Sequence, residues 1–256
     1  MARFSWRAAM AVWRRSFLLY RKTWVINLMP NFFEPVIYLL GFGLGLGAYV
    51  GRQMQGMDYL AFIAPGLVIA NAMNGGVFES TYNMFVKIHF NRTYDAIIAT
   101  PVSVADALLG ETLWATTRGI LYGAIFALVL IPFGVLTPVA VLQLLPLVGV
   151  TAWLFASLGM VFTAFIKVID MFSFFFTLFL TPMFILSGIF FPVEGMPIWA
   201  QAVAWVTPLY HCVNLAKAAV YGPWDPMHLV DGVYIFTIAV ASFGVGIRRI
   251  EANLVR

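Results

Sequence analysis

Long apolar runs, separated by short polar breaks, dominate this chain. A helix needs about 20 mostly apolar residues to cross the hydrocarbon core of a bilayer. Six stretches meet that length: 26–50, 59–86, 112–133, 139–166, 171–191 and 229–247. Tight turns at 134–138 and 167–170 join the third span to the fourth and the fourth to the fifth. The first run carries Pro30, Glu34 and Pro35 and lacks a small-residue cleavage site, so it reads as a span and not as a cleaved leader. The expected fold is an all-α membrane protein with six transmembrane helices.

The stretch between spans five and six does not read as a crossing. Pro192, Pro197, Pro208 and Pro223 interrupt it, and Glu194, Lys217 and Asp225 charge it. Its apolar pieces, 198–206 and 209–220, are too short to span. Segment 192–226 is therefore expected to form a re-entrant helical hairpin on the outer face, with its irregular backbone buried in protein.

The front of the chain has a different period. On a helix of 100° per residue, Trp6, Trp13, Phe17, Tyr20 and Trp24 fall on one stripe. Arg3, Arg7, Arg14, Arg15, Arg21 and Lys22 fall on the adjacent arc. Indoles beside cations suit a helix lying in the lipid headgroup layer, so 3–24 is expected to be an interfacial helix anchored by Trp6, Trp13, Trp24, Arg14 and Arg15. A disordered basic tail that merely sets topology is the plainer alternative.

Charge then orients the spans. Cytoplasmic flanks are rich in Lys and Arg. With both termini inside, Lys87, Arg92, Lys167, Arg248, Arg249 and Arg256 join the six basic residues of the front end; only Arg52 and Lys217 lie outside. Hydrophobic residues make up 62% of the chain and charged residues 10%, too few charges to cover a water-soluble surface of this length. The connections leave no room for a second folded unit, so 1–256 reads as one membrane domain. The basic residues are membrane flanks and do not form a face for nucleic acid. One cysteine, Cys212, excludes an internal disulfide.

The connection 87–111, KIHFNRTYDAIIATPVSVADALLGE, has room for structure. A short helix from Tyr94 is stopped by Pro101, and Ser103 caps a second helix over 104–109 that leads into span three. A short helix lying across span ends can dock a soluble partner and carry force into the bundle.

The run NRTYDAIIATPVSVADALLGE, together with TPMFILSGIFFPVEGMPIWAQAVAWVTPLYH, resembles the ABC-2 type ATP-binding-cassette transporter permeases. GFGLGLGAYVGR, LLGETLWA and FASLGMVFTAF make it most similar to the nodulation-protein-J branch. The resemblance covers nearly the whole chain. It implies a permease of the bacterial inner membrane that exports a lipo-chitooligosaccharide or a related glycolipid. It also implies a homodimer with two copies of an ATPase subunit that binds ATP and Mg. Arg92, Thr93, Tyr94, Asp95, Thr100 and Pro101 are then the coupling residues. Many relatives carry acidic residues just before the coupling pair, where this chain has Ile88-His89-Phe90-Asn91. The chain has no G-x-x-x-x-G-K-[ST] loop of its own. Gly41, Gly43, Gly45, Gly47 and Gly51 lie in or just after a span with no strand before them; they read as a small-residue packing face, within or between subunits.

Three charges fall at membrane depth. At 1.5 Å per residue, Glu79 is about 12 Å in from Lys87, Arg118 about 10 Å in from Glu111, and Glu34 about 12 Å in from Ile26. Charge in hydrocarbon needs a partner. The expectation is an Arg118–Glu79 pair across spans two and three, with Glu34 nearby. A proton relay, which would make the chain a secondary transporter, is the competing reading. Asn71 and Tyr82 share a face of span two; they line a polar path or make interhelical hydrogen bonds. Phe174 and Phe175 offer stacking surfaces to sugar or face lipid. No metal or hydrolase motif is present, His89, His211 and His228 are scattered, and Glu194, Asp225 and Asp231 read as solvated loop carboxylates; a membrane transferase acting on lipid-linked sugars is the remaining alternative.

Overall fold

The computed structural model describes residues 5–46 and 56–254, and the regular elements among them are helices. Six are long and apolar enough to cross a bilayer: Trp24–Phe42, Tyr59–Phe90, Val104–Leu130, Pro138–Phe165, Ile169–Leu186 and Met227–Leu254, here spans one to six. An amphipathic helix, Trp6–Lys22, precedes them. A short helix, Thr93–Ile98, joins spans two and three. Two further helices, Ile198–Val206 and Pro208–Tyr221, form a hairpin between spans five and six.

Span two is the axis of the bundle. From Tyr59 to Val77 nearly every residue is buried, because spans three and four pack on it directly and the hairpin covers its far end. In lipid, apolar faces gain little from meeting each other, so close backbone approach has to hold helices together. Small residues supply it. A methyl added at Gly75 would lie 2.8 Å from the Gly119 Cα, one at Gly119 would lie 2.5 Å from the Ala72 carbonyl, and one at Gly76 would lie 2.6 Å from the Ala152 carbonyl. By contrast, among the described residues nothing lies within 4 Å of a methyl added at Gly41, in span one, or at Gly45, in the helical turns that follow it. Gly47 and Gly51 lie outside the described residues.

Several boundaries differ from the sequence reading. The separate helix expected over 104–109 is the first turns of span three. Ser103 does cap it, accepting a hydrogen bond from the Asp106 N–H at 3.1 Å, but the helix then runs unbroken to Leu130. The amphipathic helix lies directly on Gly110, where an added methyl would meet the Ala9 carbonyl. Span two runs on to Phe90 through π-helical turns at Glu79–Asn83 and Val86–Phe90. Span five stops at Leu186, not at 191. The Ser187 hydroxyl donates to the Phe184 carbonyl at 2.8 Å, and Gly188 takes a left-handed φ of 79° that a side chain would oppose. Span six continues well past Ile247 to Leu254. The front-end helix ends at Lys22, and Trp24 begins span one.

Gly119→Ala is expected to lower the unfolding midpoint of the detergent-solubilised protein by an amount equivalent to about 1–3 kcal/mol, since its added methyl would meet the Ala72 carbonyl and the Ala152 Cβ at 2.5 Å each. Gly149→Ala, whose methyl would meet only the end of Ile120 at 3.8 Å, is expected to be neutral. Equal midpoints for the two variants would contradict the seam.

Candidate functional site

The chain leaves span two at Phe90 and turns through Arg92, which adopts a left-handed φ of 45°. A non-glycine residue in that region carries a cost of about 1 kcal/mol or more. The turn reverses the chain so that Thr93–Ile98 lies back across the helix ends. Tyr94 pins it there. Its ring is fully buried in a cluster with Val12, Met84, Val104, Leu108 and Ile250, drawn from the amphipathic helix and spans two, three and six. Burial holds the Tyr94 phenol well above its ordinary pKa, so it stays neutral. Thr93 is half-buried, while Arg92, Asp95, Ala96, Ala99, Thr100 and Pro101 are exposed. Tyr94 thus serves as the anchor of this face, and the residues around it present the surface.

Beside the short helix lies a cluster of four charges, two buried carboxylates and two half-buried cations. Lys87 Nζ is 2.9 Å from Glu79 Oε1 and 2.6 Å from Glu111 Oε2. Asn83 Nδ2 donates to Glu79 Oε2 at 2.8 Å, and Arg118 Nη1 reaches the same oxygen at 3.4 Å. Arg118 Nη2 donates to the Tyr122 hydroxyl, and its guanidinium lies over the rings of Tyr20 and Tyr122 at 4.6 and 5.0 Å. Glu79, Asn83 and Lys87 come together because they are spaced four apart on one face of span two, while Glu111 and Arg118 are two turns apart on span three. Glu79 and Arg118 are therefore in contact, but the shortest contacts of Glu79 go to Lys87 and Asn83. Lys87 and Glu111 were assigned only to the loop boundary by sequence; the spacing Glu79-Asn83-Lys87 was the available signal. Glu34 is not brought in: it is partly buried on span one, and among the described residues it has no ion pair.

The other candidates scatter. Asn71 is buried and donates to the Leu67 carbonyl of its own helix at 3.1 Å. Tyr82 packs among Phe78, Phe172 and Phe176. Phe175 is buried against Phe162, with ring centroids 3.8 Å apart, whereas Phe174 is exposed. In the amphipathic helix the aromatic stripe divides. Trp13, Phe17 and Tyr20 pack on Trp114 of span three, and the Trp13 indole donates to Thr117 Oγ1 at 3.0 Å. Trp6, Trp24, Arg14 and Arg15 remain exposed.

At the opposite end, Asp231 is buried, in contrast to the solvated carboxylate expected from sequence. It is 2.6 Å from His211 Nδ1 and accepts from Asn214 Nδ2 at 2.7 Å. His211 Nε2 lies 2.6 Å from the Trp205 carbonyl. One imidazole thus ties both hairpin helices to span six. Nothing in the local sequence signals this, since its members lie on three elements. Lys217 donates to the Gly188 carbonyl at 2.6 Å with its ammonium over the Phe62 ring, which holds the hairpin to the end of span five.

Residues 7–221 match the ABC-2 type transporter family. The chain is 39% identical to Nodulation protein J of Rhizobium leguminosarum bv. viciae over 213 residues, 83% of this chain and 82% of that protein. Nodulation protein J of Sinorhizobium fredii (strain NBRC 101917 / NGR234) is 36% identical over 240 residues, 93% and 91% of the two chains. The inner membrane transport permease YadH of Escherichia coli (strain K12) is 26% identical over 242 residues, 93% of each. The family match takes in the amphipathic helix, the short helix, the charge cluster and the hairpin.

Removing one member of a buried ion cluster leaves another charge uncompensated. Lys87→Met is expected to cost about 3–5 kcal/mol of stability in a denaturant titration of the solubilised protein. Arg118→Met, whose contact with the cluster is the longer 3.4 Å one and which leaves Glu79 still paired to Lys87, is expected to cost less. The double variant Lys87→Met/Glu111→Gln, which leaves the Arg118–Glu79 pair balanced, is expected to recover most of the Lys87→Met loss. No recovery would show that the cluster is not a charge-balanced unit.

Proposed function

This chain belongs to the ABC-2 type transporter family, as a membrane permease component and not an enzyme, and on that footing we propose that it is the export path of an ATP-driven transporter for an amphipathic glycolipid or lipo-oligosaccharide. The observation that carries the coupling step is the exposed face of Thr93–Ile98, held rigidly to the bundle by the buried Tyr94 ring. A soluble subunit that presses this face presses spans two, three and six with it, because their side chains form the socket of Tyr94. ATP and Mg bind that partner subunit; the present chain has no phosphate loop.

The basic end faces the cytoplasm by the distribution of Lys and Arg, with both termini on that side of the inner membrane. Two copies of the chain act with two ATPase subunits. Among the described residues, span one is the least covered of the six spans and Gly41 meets no neighbour, which favours this arrangement. The lipo-oligosaccharide class follows the similarity to the nodulation-protein-J proteins. A proton relay draws no support from the charge cluster, whose two carboxylates and two cations contact one another.

The double reversal Arg92→Glu/Asp95→Lys alters only exposed positions. It is expected to weaken co-purification with the ATPase subunit at least tenfold, about 1.4 kcal/mol, while membrane insertion and the unfolding midpoint stay at wild type. An intact complex in this variant would remove the short helix as the dock.

A further inference from the structure

At the end of the bundle opposite the charge cluster, the hairpin, the turn after span five and the start of span two enclose a cavity of about 200 Å³. Its walls include Phe62, Gly188, Glu194, Tyr210, Lys217 and His228. Lys217 is half-buried there. Its ammonium donates to the Gly188 carbonyl at 2.6 Å and sits 3.3 Å from the centroid of the Phe62 ring, and both of those neighbours line the same cavity. An ammonium carries three donors, so one carbonyl and one ring face leave a donor for a guest. The described residues include all 11 Asp and Glu of the chain, and none of them brings an oxygen within 4 Å of Lys217 Nζ. A desolvated cation without a counter-charge is costly, and an anion in the cavity would relieve that cost.

Two neutral donors share the wall. The Tyr210 hydroxyl has no hydrogen bond among the described residues, and it is not among the hydroxyls sealed from water. His228 Nδ1 accepts from the Asp225 N–H at 2.8 Å, which puts the ring proton on Nε2. One cation and two neutral donors around a single cavity suit the oxygens of a phosphate. Glu194 narrows the choice. Its side chain is exposed on the same cavity and stands more than 4 Å from the ammonium. A simple anion would meet that carboxylate as a like charge, whereas a guest with both a phosphate and an ammonium answers Lys217 and Glu194 together. Depth supplies the source. Trp224 follows the lining residue Pro223 and is exposed, as are Trp199 and Trp205 of the hairpin. Exposed indoles gather at the level of lipid headgroups.

We infer that this cavity binds the zwitterionic headgroup of a phospholipid, a phosphatidylethanolamine of the adjoining leaflet, with its phosphate on Lys217 and its ammonium toward Glu194. This site requires the membrane fold and does not depend on the export reading.

The full chain in detergent is titrated with dioleoyl phosphatidylethanolamine or dioleoyl phosphatidylglycerol, and native mass spectrometry counts the lipid bound. One phosphatidylethanolamine per chain is expected, held about threefold more tightly than phosphatidylglycerol, the worth of one exposed ion pair. Lys217→Gln is expected to weaken both lipids about tenfold, the loss of one charge-assisted hydrogen bond. Glu194→Gln should bring the two lipids to equal affinity by weakening phosphatidylethanolamine alone. Tyr210→Phe should weaken both about threefold without lowering the unfolding midpoint, since the deleted hydroxyl holds nothing in the protein. Lys217 also ties the hairpin to Gly188; if Lys217→Gln fails to fold, the Glu194 and Tyr210 variants leave that tie intact and decide the matter. Equal binding of the two lipids by the wild-type chain, or variants that bind both lipids as the wild type does, overturns the site. Displacement of the lipid by excess inorganic phosphate would assign the cavity to free phosphate and overturn the lipid as its occupant.

Discussion

A lysine held between two carboxylates at the junction of spans two and three governs the basic end of this protein. Lys87 contacts Glu79 within its own helix and Glu111 across the interface. In a medium of low dielectric none of these charges is tolerable alone, so the two spans are locked in register wherever the three are charged. Arg118 adds a longer contact and carries the cluster toward Tyr20 of the amphipathic helix. The socket of Tyr94 lies beside it: Met84 precedes Lys87 by one helical turn, and Leu108 precedes Glu111. Force delivered to the short helix under the proposed mechanism therefore meets a unit that resists shear.

Two further devices extend that rigidity. Gly75, Gly76 and Gly119 bring spans two, three and four into backbone contact, which in lipid replaces the hydrophobic drive that would hold a soluble bundle. At the far end the His211–Asp231–Asn214 set binds the hairpin to span six. The Tyr221 and Tyr234 hydroxyls donate to the Ala61 and Val206 carbonyls, each at 2.6 Å. Span one and span five lie outside this frame with much of their described surface uncovered.

The six crossings were legible because the length of an apolar run is a direct physical requirement of the bilayer. Their ends were less so. Gly188 ends span five through a backbone conformation that the surrounding apolar run conceals, and Gly110 lies inside span three, where its contact with the amphipathic helix leaves no local signal. The Ser103 cap was readable, being local chemistry. The ion cluster was partly readable: depth placed Glu79 opposite Arg118, but the snorkelling reach of Lys87 back along its own helix was overlooked, since a lysine at a span end reads as a flank. Asp231 reads as a solvated loop carboxylate for a related reason: its partners His211 and Asn214 lie on another element and leave no spacing in the sequence. The aromatic stripe of the front helix was visible, but whether a stripe meets lipid or protein depends on Trp114, more than ninety residues away.

The central claim is that this chain provides a path whose motion is driven by ATP hydrolysis on another subunit. Reconstitution in proteoliposomes with a fluorescent lipo-oligosaccharide tests it most directly, by following transfer between leaflets. Transfer should require both the chain and its ATPase subunit, depend on ATP, and be lost when the ATPase cannot hydrolyse it. Sustained transfer by the chain alone, driven by a proton gradient, would contradict the account.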